Sequence, residues 1–219
     1  MTRALLLITA LLSAVTASAQ SRPAAPPVAE PGGVAIRGFA DAGTEMFHAL
    51  DSFQAVFRKN SGTRVGGGVA VTLPLGLFAD VRVSRVRMTG ERAFLFGGQT
   101  YRLGVADTLT VIPIQITGGL RGARRGARAT PYIGGGFGWY RASERAAFSS
   151  ADEVAERATG GYHLLGGADL RLWRIFGVGG EVEWSQVTNG LAGSGIASSL
   201  KDTNLGGISV RVRLLAGRW

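Results

Sequence analysis

Cysteine is absent from the 219 residues. That excludes a disulfide framework and thiolate chemistry. Long apolar runs are missing as well. After the first 19 residues no stretch reaches the roughly 20 apolar residues that a membrane-crossing helix needs. If this chain enters a membrane, it must do so as a closed β-barrel, because lipid offers no partner for a bare backbone N–H or C=O. Histidine occurs twice, at His48 and His163, and neither lies in a serine-hydrolase motif. His48 is near Asp51 and Ser52, but a triad needs a nucleophile, a base and an orienting acid held together. We therefore expect no enzymatic activity. No calcium-loop spacing is present either; Asp152, Glu153 and Glu156 stand together as a solvated acidic loop. No cofactor and no metal site are expected.

What is present begins with an export signal. Arg3 supplies a positive start, residues 4–15 an apolar stretch, and Ala17-Ser18-Ala19 a small-x-small cleavage site. Residues 1–19 read as a cleavable signal peptide, leaving a mature chain from Gln20. Residues 20–33 are rich in Pro and Ala and lack periodicity, as a disordered periplasmic lead-in would. The formal charge is +9 and mostly arginine. An exported chain with no recognition motif is not expected to bind nucleic acid. Glycine is abundant, 34 residues, and recurs inside apolar stretches, as in Gly66-Gly67-Gly68, Gly134-Gly135-Gly136 and Gly206-Gly207. Glycine within strands marks bends and close backbone approach, which a small curved barrel needs.

The clearest periodicity lies in residues 205–219. Ile208, Val210, Val212 and Leu214 take every second place, with Ser209, Arg211 and Arg213 between them. In a strand this puts apolar side chains on one face and two guanidinium groups on the other. The same alternation predicts strands over residues 34–46, 64–73, 77–88, 107–120, 130–142, 161–173 and 176–187, eight in all with the last. The phase slips after Ser84, where Val86 and Met88 continue on even positions, and this predicts a β-bulge. Pro113 removes a ladder donor and predicts an irregularity in the fourth strand. The connections alternate between long and short. In the first long one Met46, Leu50, Phe53 and Phe57 have helical spacing, and a short helix competes with an extended hairpin arm. Residues 94–101, around Gly97-Gly98, look like a small hairpin of their own. Residues 143–160 read as a polar loop, with a strand start open as an alternative, and residues 121–129 as a basic turn whose Arg121, Arg124, Arg125 and Arg128 suit anionic headgroups, peptidoglycan or solvent.

The signal, the eight alternating strands, the loop asymmetry and the aromatic Trp219 resemble the small outer-membrane barrels of the OmpA, OmpX and OmpW type. The resemblance covers residues 33–219 and rests on architecture rather than on a motif. It implies an all-β, eight-stranded antiparallel up-and-down transmembrane barrel over residues 34–219, in the outer membrane of a Gram-negative type envelope. The implied partners are outer-membrane lipid, lipopolysaccharide and the barrel-assembly machinery, with the chain a monomer. Trp219 departs from the pattern, because it is out of phase with Ile208–Leu214. Either a bulge near Ala216-Gly217 restores the phase, or Trp219 is not the assembly signal.

The face opposite the apolar stripe carries the candidate site: Arg37, Asp41, Glu45, Arg64, Asp80, Arg82, Gln115, His163, Asp169, Arg171, Glu181, Glu183, Arg211 and Arg213. An eight-stranded barrel is just wide enough for side chains to fill, so mixed charges are expected to form a salt-bridged plug. Arg211 and Arg213 are expected to pair with Glu181 and Glu183 on one neighbouring strand and with Asp41 and Glu45 on the other. A narrow small-solute conduit and a ligand cavity remain open, as does a soluble lipocalin-like barrel with its faces inverted. Trp139, Tyr140, Tyr162 and Trp184 lie toward the outer half of their strands, and those that face lipid would form an aromatic girdle. The topology is testable by proteolysis. Protease added to intact cells is expected to cut near Lys201 and to spare residues 121–128; cleavage within that turn inverts the orientation.

Overall fold

A computed structural model of the chain describes residues 33–96, 99–122, 127–146, 155–188 and 204–219. The expected signal peptide of residues 1–19 and nearly all of the expected lead-in lie outside the described residues. Eight strands follow one another: Ala35–Phe47 (β1), Ser61–Thr72 (β2), Leu77–Phe96 (β3), Gln99–Arg121 (β4), Ala129–Ala146 (β5), Ala155–Arg171 (β6), Phe176–Gln186 (β7) and Gly207–Gly217 (β8). Each pairs antiparallel with the next, and β8 pairs back with β1, so the sheet closes into a barrel. Closure removes the sheet edges around the barrel itself; past Arg87 on β3 and before Tyr162 on β6 the longer strands outrun their shorter neighbours.

Period-two sequence becomes a two-faced wall. Along β8 Ile208, Val210, Val212 and Leu214 are exposed, while Ser209, Arg211, Arg213 and Leu215 are buried. The same parity holds along β1, where Ile36 faces out and Arg37, Phe39, Asp41 and Glu45 face in. Outward apolar residues continue around the barrel through Val69, Val81, Ile116, Phe137, Leu164 and Val182.

Four findings correct or settle points of the sequence reading. The phase slip after Ser84 is not a bulge. β3 runs in continuous register with β2 from Phe78 to Arg87, and its only register shift, against β4, lies between Glu91 and Ala93. What changes after Ser84 is the chemistry of each face. Val86 and Met88 point inward into an apolar cluster, and Arg85 and Arg87 point outward. At Pro113 the β3–β4 ladder is interrupted but resumes in the same register, since Val83 pairs with Ile114 and Val86 with Val111. Strands replace much of the expected loops. β3 and β4 span 20 and 23 residues and β5 and β6 span 18 and 17, against 11 to 13 in the other four. The expected hairpin pairing of residues 94–101 is present, but as the continuation of β3 and β4 rather than a separate hairpin, and most of the expected polar loop 143–160 is β5 and β6.

The fourth finding concerns Trp219. β8 ends at Gly217, whose φ of +142° suits glycine. Trp219 then packs by Phe39, Ala70 and Leu215 with the Arg37 guanidinium 4.7 Å above its ring. The aromatic residue belongs to the inner phase, and no bulge moves it onto the apolar stripe.

Of the two forms open for the first long connection, the helix forms. Leu50–Phe57 (α1) ends at Arg58 in the left-handed region, φ 56°. Phe53 stacks on Phe47 with ring centroids 4.4 Å apart and approaches Phe57 at 5.5 Å. Phe47, Ala49, Phe53, Val86, Met88, Leu109, Val111, Tyr140, Ala142, Val187 and Leu205 form one buried apolar cluster at this end.

Glycine allows the wall to close at the β1–β8 seam. A Cβ at Gly43 would overlap the Val210 carbonyl oxygen, whereas one at Gly38 would meet only the Ala216 oxygen at 3.9 Å. Gly43→Ala is therefore expected to destabilise the barrel by about 1–3 kcal/mol through overpacking. Gly38→Ala, in the same strand pair, should leave the urea midpoint in detergent unchanged. Equal midpoints for the two variants would show that the seam has room at Gly43.

Candidate functional site: the barrel interior

The interior is a stack of three layers set by inward-facing residues. The middle layer is centred on two glutamates of β7. Glu181 accepts both terminal nitrogens of Arg82, at 2.7 and 3.1 Å, a bidentate pairing from β3 across the barrel. It also accepts the Arg213 Nη1 at 3.0 Å, the Tyr132 hydroxyl at 2.9 Å, and Arg211. Glu183 accepts Arg211 Nη2 at 2.5 Å, the Gln115 amide at 2.8 Å and Arg64 Nη1 at 3.2 Å. Arg64 donates in turn to Glu45 and to the Gln115 oxygen, each at 2.7 Å. Asp41 lies 3.3 Å from the Arg82 Nε. Four arginines thus meet four carboxylates, all buried, with a fifth buried carboxylate, Asp80, beside them.

The second layer lies toward the short turns. Arg121 pairs with Asp169 and stacks on Tyr132 at 4.7 Å. Arg37 donates to Thr72 at 2.9 Å. The Phe39 ring sits against Arg213 at 4.1 Å and Arg82 at 5.0 Å, so the guanidinium faces have aromatic cover where carboxylates do not reach. The third layer, at the opposite end, is the apolar cluster beneath α1.

Arg37, Asp41, Glu45, Arg64, Asp80, Arg82, Gln115, His163, Asp169, Glu181, Glu183, Arg211 and Arg213 are all buried, and Arg171 is half-buried at the turn end of β6. Arg211 and Arg213 pair with Glu181 and Glu183 as the parity of β7 implies. Asp41 and Glu45 go elsewhere, to Arg82 and Arg64, because long arginines from β3 and β2 reach them first. Arg121 is not part of a solvent-facing turn: it shares the odd, inward phase of Gln115 and Thr117 and is buried. Arg124 and Arg125 lie outside the described residues, and Arg128 is exposed. Tyr132 and Tyr140 were visible by the same parity, yet only the structure makes them network members; Gln115 donates to the Tyr140 hydroxyl at 3.1 Å. Tyr140 is therefore no part of an outer girdle. Trp139 and Tyr162 do face out, and Tyr162 meets the half-buried Trp184 edge-on at 5.7 Å.

The two histidines lie on opposite faces of the wall. His163 Nε2 is 3.0 Å from Thr117 Oγ1 inside, and His48 is exposed beside Trp184. Among the described residues no three His, Cys, Asp or Glu side chains gather as a metal would require. Asp152 and Glu153, and the side chain of Glu156, lie outside the described residues.

These features define a class: an eight-stranded antiparallel β-barrel of the transmembrane kind, polar within and apolar without. Among solved structures the chain is similar to Neisserial surface protein A, at 12% identity over 86% of this chain and 97% of that one, with a TM-score of 0.45. It is also similar to the N-terminal barrel domain of Pseudomonas aeruginosa OprF, at 10% identity over 83% and 96%, TM-score 0.44. A major outer membrane protein from Thermus thermophilus aligns at 12% identity over 83% and 99%, TM-score 0.47. No family model and no curated protein matches the chain.

The network makes a quantitative prediction. Glu181→Ala takes a carboxylate from three buried arginines; Arg211 keeps Glu183 and Arg82 keeps Asp41, but Arg213 loses its ion-pair partner among the described residues, and breaking a buried pair typically costs about 3–5 kcal/mol. Removing Arg211 as well is expected to cost much less than the sum of the two single substitutions. Urea titration of the Glu181→Ala, Arg211→Ala and double variants measures the coupling; strict additivity means that the charges are solvated rather than paired.

Proposed function

We propose that the chain is a non-enzymatic outer-membrane barrel with a closed interior, serving a structural or surface-interaction role through its outer end. The observation that carries this reading is the cross-barrel pairing of Arg82 with Glu181, joined by Arg211, Arg213, Arg64 and Glu183. Charges that cross the lumen and neutralise one another occupy the space an ion would need. The apolar cluster beneath α1 lies over the same axis at the long-connection end. Tyr132 and Tyr140 bond into this network, and His163 is held inside against the Thr117 hydroxyl at 3.0 Å.

The outer face supports the membrane half of the reading. A soluble ligand-binding barrel needs its apolar residues inside, whereas here Val69, Phe137, Leu164, Val212 and Leu214 are exposed. The export signal of residues 1–19 is in keeping with an outer-membrane destination.

Two measurements test the reading. Val212→Arg places a charge on the apolar face and is expected to cost about 2–4 kcal/mol in lipid, near the midplane. A soluble barrel would tolerate this exposed substitution. In planar bilayers the unmodified protein is expected to show no steady conductance, and Glu181→Ala with Glu183→Ala to show some. Steady single-channel currents from the unmodified protein would favour the conduit instead.

A further inference from the structure

The outward face of the wall changes character on the four long strands. Up to Val83, Ile114 and Trp139 it is apolar; Val83 pairs with Ile114, and Ile114 with Trp139, in one row. One step further toward the long connections, Ile112 pairs with Arg141, and Arg85 stands in that same register row on β3. The next row joins Arg87, Thr110 and Ser143, and the one beyond it Thr108 and Arg145. Arg85, Arg87, Arg141 and Arg145 are exposed, and among the described residues none of them forms an ion pair. Neighbouring strands lie about 4.8 Å apart and alternate residues about 7 Å apart, so the four stems spring from a patch roughly 10 by 13 Å.

We propose that Arg85, Arg87, Arg141 and Arg145 form a docking site for the phosphate-bearing headgroup of an anionic lipid in the leaflet that surrounds this end of the barrel. The inference rests on the membrane reading above and assigns a ligand to its outer wall. Charge complementarity is the first argument. Every cation in the patch is arginine, whose planar fork takes phosphate oxygens in pairs, and the hydroxyls of Thr110 and Ser143 lie between them. Position is the second. Directly below the arginines, on the same face, are Val83, Ile114 and the exposed Trp139, where the acyl chains of the same lipid would lie. A soluble polyanion has no use for that continuity. The elongation of β3 to β6 supplies the platform. A strand of about 9–11 residues crosses the hydrocarbon, so these four rise well beyond it and present the patch at headgroup height. The apparent phase slip after Ser84 is the trace of this site in the sequence: the arginines face out where the strand leaves the apolar zone.

The test uses the full chain in phosphatidylcholine nanodiscs, with diphosphorylated lipid A and its dephosphorylated counterpart as probes, and native mass spectrometry to count lipid retained. The unmodified protein is expected to retain the phosphorylated form preferentially. Arg85→Gln and Arg141→Gln are each expected to lower that retention about five-fold. Arg85→Lys keeps the charge without the fork and is expected to fall between. Arg218→Gln, which removes an outward arginine at the opposite end, should change nothing. Circular dichroism in the nanodisc confirms that each variant is folded. Equal retention of both probes, or unchanged retention by Arg85→Gln with Arg141→Gln, overturns the site. Full competition by soluble inositol hexakisphosphate overturns the lipid as its occupant. If the protein inserts but shows no preference, only the docking site fails; if it does not enter nanodiscs at all, the membrane reading fails with it.

Discussion

An interior only as wide as its own side chains sets the terms for everything else in this barrel. Eight strands enclose a narrow space that side chains can fill. A charge placed there must be neutralised within hydrogen-bond reach, because burying an isolated ion costs far more than a fold can absorb. Glu181 and Glu183 meet this condition by each serving several arginines at once. Arginine suits the task because one planar group bonds in two or three directions. Arg64 does so with Glu45, Glu183 and Gln115. The interaction is one of mutual dependence rather than of separate pairs.

That dependence reaches the wall. Interior side chains need room, and small residues on the inner face supply it: a Cβ at Gly179 would collide with the Asp169 carboxylate. Gly43 allows the close approach of β1 to β8 in the register that sets Arg213 opposite Asp41, and the β7–β8 ladder sets Arg211 opposite Glu181. Aromatic rings finish the packing. Phe39 and Tyr132 cover guanidinium faces, and the apolar cluster beneath α1 takes the place of the arginine–carboxylate network at one end. The polarity of the interior therefore varies along the axis, from ionic to apolar, while the outer face varies in the opposite sense. Arginine inside is paired and buried; on β3 and β5 at the outer end it is exposed and without an ion-pair partner among the described residues.

Much of this was legible in the chain. Parity alone separated Ile208, Val210, Val212 and Leu214 from Arg211 and Arg213, since side-chain direction in a strand alternates whatever the strand pairs with. Eight such segments, glycine runs and the missing cysteine led to a closed barrel with charge inside. Parity misled where face chemistry inverts. Val86 and Met88 looked like a bulge because an apolar residue was assumed to face outward, and Arg121 looked like a turn residue because it adjoins a run of arginines. The extended β3–β6 wall was hidden for the same reason, as its polar outer face reads as loop.

What the sequence by itself determined was the two-faced character of each strand, because that follows from local backbone geometry. What only the tertiary structure decided was who pairs with whom. Arg82 and Glu181 stand 99 residues apart and on strands that do not touch, and they meet only across a closed lumen. Asp41 and Glu45 were within reach of the Arg211 and Arg213 strand, yet they are taken by Arg82 and Arg64. Register, closure and the reach of a guanidinium across the lumen choose among chemically equivalent partners, and none of these is a local property of the chain.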